Sequence, residues 1–187
     1  MSIIDEVYEA RYGWTRRTVL VTAFAVLATV AGLLAPGFSM PLRIAAVLLF
    51  GFGGGLMAYG AAGRKVALRV DGTGILLGGS PVRYAQTTVF VPWHEVAAVE
   101  LWTQRLRGGH GVPLHLPYVG VHRIGGAPAG AVARAVSGTL TPVSAELVAN
   151  SRAVNGWPFD TKAFTDAVAR HAPQLQIRVA ANFPAKR

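Results

Sequence analysis

Two long apolar runs, almost touching, limit what this chain can become. TVLVTAFAVLATVAGLLA, residues 18–35, carries no charge, and LRIAAVLLFGFGGGLMAYGAAG, residues 42–63, carries only Arg43. As helices rising 1.5 Å per residue they are about 27 and 33 Å long, close to the ~30 Å hydrocarbon core of a bilayer. Only PGFSMP separates them, which is room for a tight turn. The pattern predicts a hairpin of two transmembrane helices, 18–35 and 42–63. A cleaved signal peptide fits the first run less well: its leader MSIIDEVYEARYGWTRR sets three acids against three arginines, and a second span follows directly.

Composition points the same way. The chain is 52% hydrophobic and only 14% charged, against about 25% charged in an ordinary soluble domain. The apolar excess is concentrated in residues 18–63, whereas residues 64–187 read as a normal domain. Residues 1–63 carry four arginines and three acids; residues 64–187 carry fourteen basic and six acidic residues. The positive excess therefore lies on the domain, scattered singly rather than in runs. There is no cysteine, which excludes disulfides and thiolate chemistry.

Flanking charges set an orientation. Arg11, Arg16 and Arg17 precede the first span, and Arg64, Lys65 and Arg69 follow the second. Only Arg43 marks the turn, where it can snorkel to the outer interface. The positive-inside bias predicts a multi-pass protein with cytoplasmic N- and C-termini. Trp14 and Tyr59 fall at the cytoplasmic ends, where amphipathic rings favour the headgroup layer. Within the spans, Gly51 and Gly55, Gly54 and Ala58, and Ala28 and Gly32 are small residues four apart that let helices approach closely. Their partner is the other span or a second copy of the chain. In residues 1–17, Ile3, Ile4, Val7, Tyr8 and Tyr12 form a stripe at helical spacing, predicting a cytoplasmic segment with an interfacial helix.

From residue 64 the period changes to two. VALRVD and ILL flank Asp71-Gly72-Thr73-Gly74, a hairpin turn. TTVFVPW and VAAVELWTQ are strands joined by a corner at Pro92-Trp93-His94-Glu95. VPLHLPYVGVHR is extended, with Pro113 and Pro117 favouring an edge or bent strand. TLTPVSAELVANSRAVNGW is ambiguous between a short helix and a strand with a turn, and residues 139–156 stay unassigned. Asp160 caps the helical run TKAFTDAVARHA, whose apolar face is Ala163, Phe164, Ala167 and Val168. Pro173 stops it, and LQIRV reads as a last strand before a basic tail, 180–187.

VALRVDGTGILLGG followed by VPWHEVAAVELW resembles the bacterial pleckstrin-homology-like (PH-like) domains: a hairpin with an Asp/Gly turn, then an apolar-Pro-Trp corner into the fourth strand. NGWPFDTKAFTDAVARHAP resembles the closing segment of their actinobacterial members. The resemblance covers about residues 64–179. It implies a membrane α-helical hairpin joined to a mainly β, α+β domain, a seven-stranded barrel or sandwich capped by the C-terminal helix. It also implies a binding or scaffold module in the bacterial plasma membrane rather than an enzyme. Phosphoinositide-binding relatives use basic residues on the first two strands. Here Lys65 and Arg69 lie on the first, and the second offers none.

The residues carry no catalytic constellation. His94-Glu95 begins like HExxH, but position 98 is alanine and the stretch is β-like. His110, His115 and His122 are better read as isolated histidines than as ligands, and no metal or cofactor is expected. No serine sits in G-x-S-x-G. Trp93, Trp102 and Trp157 lie among apolar residues, which favours packing over base stacking, so nucleic acid is not an expected partner. The expected contacts for an anionic surface or partner are Arg64, Lys65, Arg69, Arg105 and Arg107. The leading expectation is a non-enzymatic membrane-tethered scaffold whose partners are the bilayer and another membrane protein. The alternatives are an accessory subunit of an envelope enzyme and an anionic-lipid module.

Overall fold

A computed structural model describes residues 7–107, 113–126, 144–181 and 183–184. Helices α1 (Arg16–Leu34) and α2 (Met40–Ala62) form an antiparallel hairpin. Both are long and apolar enough to cross a membrane. Only 17% and 11% of their most apolar stretches are buried, which separates them from core helices of a folded domain. Leu20, Leu27, Leu34, Leu48, Leu49 and Phe52 are among the apolar side chains pointing outward.

The seam between the helices is narrow. The buried residues of α1 are Thr18, Ala25 and Gly32, seven apart, a repeat that favours left-handed winding of one helix on the other. A Cβ on Gly32 would lie 2.6 Å from that of Ala46, and one on Gly54 would lie 2.6 Å from that of Ala25. Gly51 faces Thr29 at 3.6 Å. Ala28 lines a cavity beside the seam. Gly55, grouped with Gly51 on spacing, faces open space instead. The reason is a π-helical turn over Val47–Phe52, which shifts the register of α2. At the turn, the Arg43 guanidinium donates to Ala35 O, at the end of α1, and to Phe38 O in the turn itself.

Among the described residues eight strands form two four-stranded sheets, against the seven-stranded barrel or sandwich expected, and no closed barrel is seen. The first sheet has the order β1 (Tyr8–Arg11), β2 (Val66–Asp71), β3 (Gly74–Leu77), β4 (Val89–Pro92), all antiparallel. Its inner rows are Tyr8, Val70, Ile75, Val91 and Ala10, Leu68, Leu77, Val89; its outer row is Glu9, Arg69, Leu76, Phe90. The β1 strand overturns part of the expected interfacial helix: Tyr8–Arg11 pairs with β2, and the stripe at Tyr8 and Tyr12 packs on the domain core. Ile3 and Ile4 lie outside the described residues. The helical hairpin is thus inserted between two neighbouring strands of one sheet.

The second sheet has the order β7 (Ser151–Ala153), β6 (Pro113–Arg123), β5 (Val96–Arg107), β8 (Gln176–Val179). Strand β8 runs parallel to β5, the others antiparallel. Strand β6 is interior, not an edge, where β7 covers Tyr118–Gly120. Pro117 is accommodated because its carbonyl faces the β7 side, accepting from Val154 N at 2.8 Å, so its missing N–H is not needed by β5. The ambiguous stretch holds both alternatives: helix α4 (Ala145–Ala149), capped by Ser144 Oγ, then β7. Between β3 and β4 lie a 3₁₀ turn, Pro81–Arg83, and the single helical turn α3, Tyr84–Thr87.

Helix α5 (Thr161–His171) is capped by Asp160, whose Oδ1 accepts from Ala163 N at 3.0 Å. It lies against β1 and β2. Its buried face is Phe164, Ala167 and Val168; Ala163, expected there, is exposed. Burying Phe164 fully contributes about 1.5–3 kcal/mol. The start of the expected tail folds back, with Phe183 edge-on to Phe159 at 5.7 Å and Thr161 Oγ1 donating to Pro184 O at 2.9 Å.

Candidate functional site at the base of the hairpin

The hairpin is joined to the sheet without a flexible link. Tyr12 N donates to Lys65 O at 2.9 Å, continuing the β1–β2 ladder to the helix ends, and Gly13 N donates to Gly156 O at 3.0 Å. Arg64 takes the left-handed conformation (φ 45°) that terminates α2, and its exposed cation complements the negative helix end. Lys65 Nζ donates to Pro81 O at 3.0 Å and lies over the rings of Tyr84 and Tyr59. Gly60 admits Pro81 against α2; a Cβ there would lie 3.2 Å from the proline ring.

The basic residues expected to act together are dispersed. Arg64 is exposed at the base, but Lys65 is committed to Pro81. Arg69 is on the outer face of β2, 2.7 Å from the Asp71 carboxylate. Arg105 and Arg107 belong to the far half of β5, where Arg105 is exposed. The base instead gathers Arg16, Arg17, Arg64 and Arg83, all exposed, and no side-chain partner holds any of their guanidiniums among the described residues. Arg83 was not marked out because its place depends on the packing of Pro81 against Gly60.

A further cation, Arg152 on β7, is half-buried. It donates to Gly78 O at 3.0 Å, to Ser151 O at 2.8 Å and to Thr87 O. These bonds tie the two sheets together, with no carboxylate partner among the described residues; burial pushes its pKa down. Tyr12 is close by, its hydroxyl raised by burial despite the opposing effect of Arg152.

Between these groups lies an apolar groove of about 260 Å³, lined by both helices, the Pro81–Val82 turn, Tyr12–Gly13 and Asn155–Gly156. An open depression follows the other side of β1, lined by Trp14, Arg64 and Asp160 among others. Trp14 and Tyr59 are both exposed at this end of the hairpin.

The corner Pro92–Glu95 is structural. Trp93 Nε1 donates to Asp71 O at 2.9 Å, which pins the corner to the β2–β3 turn. His94 is 80% exposed at its side chain. Glu95 is not free at the tip, because it pairs with Arg123. Glu100 pairs with His122 at 2.8 Å across β5 and β6. His115 faces Arg105 in register, and His110 lies outside the described residues. Among the described residues no three His, Asp or Glu side chains gather as a metal site. Trp102 and Trp157 are buried, each with its indole N–H satisfied, by Ser151 Oγ and Ala153 O.

Comparison with family models, with curated proteins and with solved structures finds no match to this chain.

Proposed function

We propose that the chain is a multi-pass membrane protein that holds a PH-like binding or scaffold domain rigidly against the cytoplasmic face of a bacterial plasma membrane. The observation that carries this reading is the insertion of an outward-facing apolar hairpin between β1 and β2. Helices with exposed Leu20, Leu27, Leu48 and Leu49 need an apolar surrounding. The arginines at their open end favour a cytoplasmic domain. One antiparallel and one mixed four-stranded sheet, with a helix against the first, are compatible with a PH-like arrangement, whose partner on this reading is another membrane protein.

Because the chain has no cysteine, single-cysteine labelling tests the orientation directly. In intact spheroplasts an impermeant maleimide is expected to label Ser39→Cys, in the turn between the helices, and to spare His94→Cys until the membrane is permeabilised. The opposite pattern would invert the orientation. Extraction of the chain from membranes by alkaline carbonate would remove the membrane reading.

A further inference from the structure

We propose that the groove at the base of the hairpin holds one anionic glycerophospholipid, with an acyl chain in the groove and the phosphate outside it on Arg17 and Arg83. The inference rests on the membrane reading above and adds a ligand to it.

Three observations lead to this ligand. The first is where the groove runs. Gly53, Leu56, Met57, Gly60 and Ala61 line it at i, i+3, i+4, i+7 and i+8, one face of α2. From the end of α2 at Ala62 down to Gly53 is about 14 Å at 1.5 Å per residue. The groove thus descends from the domain surface well into the span. A water-soluble ligand would have to enter hydrocarbon to fill it, whereas an acyl chain is already at that depth.

The second is size and lining. At about 260 Å³ the groove is smaller than the ~300–1,000 Å³ that encloses a whole small molecule. It takes a chain and leaves the head outside. Its polar lining is confined to a few groups towards the domain end, among them Tyr12 and Asn155, whose side-chain amide has no hydrogen-bond partner among the described residues. Those groups match a glycerol ester rather than another methylene.

The third is charge. Arg17 precedes the groove residue Thr18, and Arg83 follows the groove residue Val82; Arg16 and Arg64 flank the same end of the hairpin. None is neutralised by a carboxylate among the described residues, in contrast to Arg11, Arg69 and Arg123. Guanidiniums free to pair bidentately are matched to a phosphodiester.

The test uses the full chain purified in mild detergent, with dioleoyl phosphatidylglycerol and dioleoyl phosphatidylcholine as probes and bound lipid counted by native mass spectrometry. The expected result is one retained phosphatidylglycerol, preferred over phosphatidylcholine. Gly53→Phe fills the groove from a helical position where a Cβ meets nothing within 4 Å, so the fold is kept and retention is lost. Gly55→Phe, equally open but outside the groove, retains the lipid. Arg17→Gln with Arg83→Gln weakens phosphatidylglycerol binding by more than about tenfold and removes the headgroup preference. Equal retention of both lipids by the unaltered chain, or unchanged retention in Gly53→Phe, overturns the proposal. Carbonate extraction of the membranes from which the chain is purified separates the two failures. A chain that stays in the membrane but retains no phosphatidylglycerol defeats the lipid site alone, and a chain that is stripped off defeats the membrane reading beneath it.

Discussion

Arg152 shows how much one side chain can carry here. Its guanidinium joins carbonyls 74 and 65 residues earlier to its own strand, linking the first sheet to the second. Arg152→Met removes those bonds and leaves the carbonyls unpaired, and is expected to lower stability by about 2–3 kcal/mol. Arg152→Lys should recover little, because an ammonium cannot span the fork. Thermal unfolding of the three proteins in one detergent measures both effects. Asp71 gives a pH test. Burial raises its carboxyl, but hydrogen bonds from Thr73 and Arg69, and the charge of Arg69, outweigh this and hold it below the usual carboxylate range. A depressed folded pKa adds stability above the unfolded value of about 3.9, which is lost as pH falls through the lower folded value. Asp71→Asn is therefore expected to unfold with a shallower acid limb below about pH 4, followed by tryptophan fluorescence. The Asp71 turn was legible in the sequence, because an Asx residue before glycine acts locally. Arg152 was not, because its partners are backbone groups that only the fold brings near.

Among the elements, the two helices were the easiest to read and the first strand the hardest. Apolar length is a property of the sequence itself, so 18–35 and 42–63 fall within two residues of the observed ends. Strand β1 has four residues, and its partner Leu68 lies across the entire hairpin from Ala10. Its Tyr8 and the adjoining Tyr12 also fit a helical stripe, and nothing local breaks the tie. The helix seam was half legible: the small residues marked it, Gly51, Gly54 and Gly55 alike, but spacing did not show that Gly54 rather than Gly55 meets α1, beyond the π-turn in α2. That register makes a paired prediction. Gly54→Val forces a Cβ onto Ala25 and is expected to cost about 1–3 kcal/mol of hairpin stability. Gly55→Val enters open space and should be nearly neutral. Unfolding in graded denaturing detergent, read by helicity, distinguishes them. Equal effects would place the seam elsewhere.

For the whole molecule, the insertion of the hairpin between paired strands redraws the boundary expected at residue 64. Tyr8 and Ala10 contribute to the domain core, with Tyr8 edge-on to Phe164 at 5.8 Å. A fragment 64–187 lacks that strand and leaves β2 as an open edge, so it is expected to aggregate. A chain in which residues 7–13 are joined to residue 64 by a short glycine linker should stay monomeric and fold cooperatively, because Tyr12 and Lys65 are already hydrogen-bonded neighbours. Size-exclusion chromatography and thermal unfolding compare the two; equal behaviour would show that β1 is dispensable. The same insertion sets a schedule for synthesis. The first strand emerges from the ribosome some fifty-five residues before its partner, and the chain between them is the part proposed to enter the bilayer. On that proposal β1 waits, unpaired, until both helices are inserted and β2 is returned to the same side. Completion of this sheet is then a report that insertion has succeeded, and a chain whose hairpin fails to insert presents an unfinished edge to the quality-control proteases of the cell.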